Sequence, residues 1–453
     1  MCTTCNDPVA EGPGTQSTEH LGRVVTRRLV LGGLAGSAVL LGSGGAAMAS
    51  PAPTSPPKSD NDNKKEHGAA HLELVLLGTR GGPPIDPYRS GIASALVVDG
   101  STYLVDCGRA AATQYVRAGL SLRSMRAIFL THLHADHVAD YYNFFLLGGS
   151  APNQLGDNLP DHTDVYGPGR AGGLPPKFGG GDAPTVTPAS PTPGIADLTN
   201  FCHDAYAYSS NVFTRDTGIR DIRTLLSVHE IALPNVGANY QNTAPTMQPF
   251  LVMQDDKVRV TAILVPHGPV FPSFAFRFDT EYGSVTFSGD TTFTPNIPTL
   301  AKNTDLLVHE AINLEGFTAP PAFISHLVAS HTPVQEVGGV AQAAGAKRLV
   351  LSHIGNLTPH PIDVRKWTAW AQQGYGGNVV IGEDLQRIQS GGSVAIPAGG
   401  AGTGAGGTAG GRDTELLIGG AVAAAGAVAA AGAYRHGRKE TSDGVVEDVD
   451  HTE

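Results

Sequence analysis

The chain reads as an α/β protein in which two blocks of strands build two sheets faced by helices. Apolar runs of strand length gather in residues 72–105 and again in 258–308, and helix-period segments separate the later runs. A histidine-rich loop leaves the C-terminal end of one strand, where open α/β folds carry their chemistry. With 41% hydrophobic and 6% aromatic residues the 453-residue chain is globular but rich in Ala and Gly. Roughly 320 residues remain once the ends are set aside, enough for one domain with a large core.

Taken in order, residues 72–77, 92–98 and 102–105 read as three strands, the last two joined by the turn Asp99-Gly100-Ser101. A helix near 111–118 precedes the buried-type strand 127–130, and an apolar helix is expected over 138–147. A long Gly/Pro-rich insertion follows the turn Tyr166-Gly167-Pro168, over about 153–193, with a helical piece through Tyr208. Residues 258–265, 274–278, 285–287 and 306–308 form the second strand block. Strands 348–351 and 379–381 complete it, with helices at 334–344 and 363–371.

Between Thr131 and Val138 stand His132, His134, Asp136 and His137, in the spacing HxHxDH. His132 and His134 point the same way from an extended loop; Asp136 and His137 occupy the first turn of the next helix. One short loop thus feeds two adjacent metal ions with nitrogen and hard oxygen ligands, a set that suits zinc. Three lone residues follow later strands: His267 in VPHGP, Asp290 in SGDT and His353 in LSHIG. Together with the loop they complete a dinuclear site.

A second pair concerns protons. His331 lies just ahead of the helix at 334–344, and Glu310 ends the buried-type stretch 305–310. A histidine beside an open site donates to a leaving group, and a carboxylate fixes its tautomer. Thr332 is the better candidate for the cap of that helix. Asp106, ending the third strand, reads equally as a turn residue or as a support for the metal loop.

HxHxDH, a distant His, the Asp of SGDT and a final His resemble the metallo-β-lactamase fold hydrolases. The His-Glu at 309–310, the His-Thr at 331–332 and LSH at 351–353 resemble the ribonuclease Z and arylsulfatase-type branch. The resemblance covers roughly 70–392. It implies a four-layer αβ/βα sandwich of two mixed sheets flanked by helices, with the metals at one edge. It further implies that His132, His134 and His267 hold one metal, that Asp136, His137 and His353 hold the other, and that Asp290 bridges. By the same resemblance His331 is general acid, Glu310 supports it, and Asp136 joins them among the catalytic candidates. The expected cofactors are two Zn2+, with Mn2+ or Fe as alternatives.

The chain departs from the ribonuclease pattern in its insertion, where no basic arm is evident. With 41 acidic against 30 basic residues, the formal charge of −11 argues against nucleic acid as a partner. The expected substrate is a small-molecule ester. The main reading is an exported dinuclear zinc hydrolase that cleaves a phosphodiester or sulfate ester through a metal-bridging hydroxide. Alternatives are a lactonase or other carboxylic-ester or amide hydrolase, a ribonuclease Z-like endoribonuclease, and a non-catalytic, metal-stabilised surface binding protein. A homodimer is also expected.

The ends set the expected location. Arg27-Arg28 before a Gly/Ala-rich apolar run, then Ala47-Met48-Ala49, read as a twin-arginine export signal over 1–49. A spacer (50–69) leads to the catalytic domain (70–392, with the insertion at about 151–200). A Gly-rich linker (393–414) leads to a transmembrane helix (415–434) with a charged cytoplasmic tail (435–453). The catalytic domain would then face outward, anchored to the cytoplasmic membrane. Cys2 and Cys5 lie ahead of the twin arginines in the segment that cleavage would remove; Cys107 and Cys202 remain in the mature part, and their spacing leaves pairing open.

Overall fold

The computed structural model describes residues 71–149, 156–177, 179–357 and 361–390. The export signal, spacer, linker, apolar C-terminal segment and tail lie outside the described residues. Among the described residues, no helix is long and apolar enough to cross a membrane.

The first sheet begins as an antiparallel meander, β1 (Leu72–Gly78), β2 (Ala93–Val98) and β3 (Ser101–Val105). β4 (Met125–Phe129), β5 (Thr163–Gly167) and β6 (Leu226–Glu230) continue it in parallel. The second sheet runs antiparallel through β7 (Phe250–Gln254), β8 (Arg259–Leu264), β9 (Phe274–Thr280) and β10 (Gly283–Phe287). It turns parallel through β11 (Leu306–Asn313), β12 (Arg348–Asn356) and β13 (Asn378–Ile381). β14 (Gln386–Gln389) then crosses back to pair with β1, Glu73 opposite Gln389. Each sheet has seven strands, and both are mixed.

Both faces of β1 are buried, which is why residues 74–77 are continuously apolar instead of alternating. Leu74 and Leu76 face the second sheet; Val75 and Leu77 face the outer helices. Between the sheets the Phe129 ring lies 5.6 Å from Phe276 and 5.1 Å from Phe278, centroid to centroid. Each buried phenyl contributes roughly 1.5–3 kcal/mol.

Helices complete four layers. α1 (Ala111–Arg117), α2 (Ala135–Val138), α3 (Tyr141–Leu146), α4 (Ile195–Ala205) and α5 (Ala207–Thr217) belong to the first half. The edge-on pair Tyr115–Phe144 lies in the apolar cluster that α1 and α3 form with β1 and β4. α6 (Asn296–Leu300), α7 (Pro321–Ser330), α8 (Val334–Ala344) and α9 (Val364–Ala371) belong to the second half. Val337, Ala341 and Trp367 bury α8 and α9 against the second sheet.

Several expectations change. The helix expected at 138–147 is two short helices. Asp140 between them receives a hydrogen bond from Ala112 N at 2.7 Å, and its own N–H donates to Cys107 O, which ties the chain down at the break. β11 and β12 run past Glu310 and His353 rather than ending there, and their register shifts between His309 and Ala311. Thr332 is no helix cap: its hydroxyl donates to Thr291 O, and Pro333 holds the cap position of α8. Cys107 and Cys202 are unpaired, the former buried in the outer core and the latter half-buried on α4.

Candidate metal centre

The loop after β4 opens the site. His132, Asp136 and His137 are buried; His134 is exposed. Asp106 supports this loop from the end of β3. Its carboxylate accepts from Thr131 N at 2.8 Å, from the Thr131 hydroxyl at 3.0 Å and from His137 Nδ1 at 2.9 Å. The His137 proton is therefore on Nδ1, and Nε2 offers its lone pair to the site. Of the two readings open in the sequence, the support role describes what Asp106 touches.

The second sheet delivers the rest. His267, after β8, has Nδ1 2.8 Å from Ser330 O; a carbonyl only accepts, so this ring too presents Nε2. His353 sits within β12 at a left-handed φ of 51°, the bulge that turns its side chain toward the metal loop. Asp290 follows β10 through Gly289, whose φ of 58° and close approach to Phe274 O leave no space for a side chain.

These residues converge. His132, His134, His267 and Asp290 bring donor atoms within 4.8 Å of one another, and so do Asp136, His137 and His353. Asp290 Oδ2 lies 3.8 Å from His132 Nε2, 3.7 Å from His267 Nε2, 3.3 Å from His137 Nε2 and 3.1 Å from His353 Nε2. One carboxylate oxygen thus touches both groups. Burial opposes its charge, but the surrounding imidazoles, His353 first, hold the Asp290 carboxyl well below the usual carboxylate range.

A metal pair fits this cage. Nε2 of His132, His137 and His353, with Oδ1 of Asp136 and Asp290, are buried without a hydrogen-bond partner. A cluster of orphaned donors converging from separate strands is the signature of a cation site, because unpaired buried polar atoms are otherwise costly.

His331 stands beside the cage, its ring 4.9 Å from that of His267 and 5.7 Å from that of His353. It is the C-cap of α7, a helix the sequence did not reveal, rather than a free approach to α8. Its Nδ1 lies 3.0 Å from Glu310 Oε1, which also accepts from Thr291 N at 2.9 Å. Burial works against a charged His331 ring, but the Glu310 carboxylate outweighs it and holds the pKa above the ordinary histidine value.

Sequence reasoning missed the turn 79–82. Gly82 N donates to Asp136 Oδ2 at 3.0 Å, and a Cβ on Gly81 would lie 2.5 Å from His353 Nδ1. The available signal was the Gly81-Gly82 pair shortly after the first apolar run.

Two groups of metal donors sharing one carboxylate, at the edge of two mixed sheets flanked by helices, define a metal-dependent hydrolase. Residues 88–146, which carry the ligand loop, match the family described as the metallo-beta-lactamase superfamily. Similar proteins include one named Ribonuclease Z from Mycobacterium marinum, 28% identical over 322 residues, covering 70% of this chain and 98% of the relative. Another so named, from Mycobacterium sp. (strain KMS), is 29% identical over 331 residues, covering 72% and 100%. Among solved structures, the short form of human tRNase Z aligns at a TM-score of 0.47 with 21% identity, covering 70% of this chain and 99% of its own. A metallo-beta-lactamase fold protein from Bacillus subtilis aligns at 0.46 with 19% identity, covering 70% and 99%. The expectation against nucleic acid, drawn from charge, finds no support in the relatives named Ribonuclease Z.

Proposed function

We propose that this chain is a dinuclear metal-dependent phosphodiesterase, with zinc as the metal. The observation that carries the reading is Asp290 Oδ2, within 3.1–3.8 Å of four imidazole nitrogens from both donor groups. His132, His134 and His267 would hold one cation and Asp136, His137 and His353 the other, with Asp290 between them. When bound, the cations supply Lewis-acid charge and an acidified water as nucleophile. The chain's own groups do the remainder. Asp106 and Ser330 O fix the tautomers of His137 and His267, so each presents a lone pair inward. Glu310 occupies Nδ1 of His331, which leaves Nε2 to carry the transferable proton. As water adds to phosphorus and the P–O bond breaks, that proton passes to the departing oxygen.

The relatives named Ribonuclease Z support a phosphodiester over a sulfate ester, and they favour RNA as a second reading. Protein stripped of metal and restored with zinc or manganese is offered bis-p-nitrophenyl phosphate, p-nitrophenyl sulfate, a lactone, nitrocefin and a precursor transfer RNA. Metal-dependent hydrolysis of the phosphodiester is expected. Turnover of the sulfate or lactone alone would overturn the reading, and no turnover with both metals bound would leave a binding protein. We further propose the twin-arginine export and membrane anchoring that the terminal sequences support; activity found in the soluble cytoplasmic fraction would refute both.

A further inference from the structure

The Gly/Pro-rich insertion builds a chamber against the cage. Residues 168–193 contain no helix or strand among those described, and they curve over a cavity of about 920 Å³. One wall is the metal loop at Leu133, His134 and Val138; another is the turn Pro269–Pro272 that follows His267. His134, the exposed ligand, is the point at which chamber and cage meet. The strap is anchored at both ends. Near its start Arg170 pairs with Asp197 on α4, and the same guanidinium donates to Ser190 Oγ near its end at 3.2 Å. Six prolines between 175 and 193 restrict φ along it, which lowers the entropy lost in holding an irregular roof.

The chemistry of the walls is specific. Leu174, Pro175, Pro184, Pro193 and Phe271 make them largely apolar. Lys177 and Asp182 are the charged side chains contributed by the strap, one of each sign. Such a lining gives a polyanion no counterion-release gain, whereas its volume and apolar surface suit a compact organic group. His331 is not part of the chamber wall. Chamber and His331 thus offer separate surfaces to the two ester groups of a diester.

We infer that the strap chamber binds the spectator group of a small phosphodiester, an uncharged aromatic or bulky aliphatic moiety, while the leaving group departs on the His331 side. This deepens the phosphodiesterase reading and rests on it. The test keeps p-nitrophenolate as the leaving group and varies the spectator ester from methyl to phenyl to naphthyl. For the metal-loaded protein, kcat/KM is expected to rise at least tenfold across the series. Leu174→Gln, a neutral change at a half-exposed position, should cut the naphthyl-to-methyl ratio at least threefold. A flat series, an unchanged ratio in the variant, or a higher kcat/KM on a single-stranded RNA oligomer than on the naphthyl ester would overturn it. A second arm needs no turnover: naphthyl and methyl methylphosphonate monoanions are titrated calorimetrically into the same protein. Tenfold tighter naphthyl binding without hydrolysis of any diester would keep the chamber and remove the phosphodiesterase. Hydrolysis with equal binding of the two would do the reverse.

Discussion

The two sheets feed the cage in opposite ways. The first sheet gives four candidate ligands from one loop of six residues, with the buried Asp106 carboxylate beneath it. The second gives His267, Asp290 and His353 from three separate strands, with Glu310 and His331 beside them. The first half is local: its loop is braced from within the same sheet, by Asp106 and by Gly82 N on Asp136. The second is tertiary, because its residues meet only when β8, β10, β11 and β12 pair in register. A change in the second half should therefore cost more than one in the first.

Asp290→Ala is the severest break, since that oxygen touches both donor groups. Hydrolysis should fall about 10³-fold or more. Metal analysis should show the loss of at least one ion per chain while circular dichroism stays native. Full activity with a single ion bound would remove the paired-metal reading. His331→Asn separates acid catalysis from metal binding. Metal content should hold, and kcat for a diester with an alkoxide leaving group should drop about 10²–10⁴-fold. With p-nitrophenolate, which leaves without help, the drop should be small. Equal losses on both would mean that His331 acts on structure. Asp106→Asn probes the first half. The amide still reaches His137 but competes for the wrong tautomer, so metal affinity should weaken about 10–100-fold in a chelator competition. A loss as deep as that of Asp290→Ala would erase the contrast between the halves.

The same contrast decided what was legible. HxHxDH could be read because its ligands are neighbours in sequence and flank a strand and a helix. Asp290 and His267 could be read as residues ending apolar runs. The bulge that aims His353 could not, since a shifted register between β11 and β12 leaves no pattern in either strand alone. β6, β7 and β14 escaped for another reason. β7 and β14 are five and four residues long, and all three sit at or beside sheet edges with much of their surface half-covered, so apolar alternation is weak. The strap was recognised as an insertion, but Gly and Pro carry no periodicity. Its path over the cage follows from tertiary tethers, Arg170 to Asp197 on α4 and to Ser190 at the strap's far end.

The smallest effect tests the register itself, away from any ligand. Asp305 precedes β11 and clamps it to β10: its carboxylate accepts from Ser284 N at 2.7 Å and from Lys347 Nζ at 2.6 Å. Burial raises its pKa, but the Lys347 ammonium and the Ser284 donors outweigh that and hold it below the usual carboxylate value. A depressed carboxylate contributes stability that is complete above the unfolded pKa, near ~4, and is lost as pH falls through the folded value. Asp305→Asn should thus lower stability by roughly 0.5–1 kcal/mol at neutral pH, discounted for the exposed lysine. The gap from wild type should narrow as denaturant titrations move from pH 6 toward pH 3. If that gap instead widens in acid, the clamp is not ionic. If Asp305→Asn also loses metal, the second sheet's register and its ligands are coupled more tightly than strand pairing alone requires.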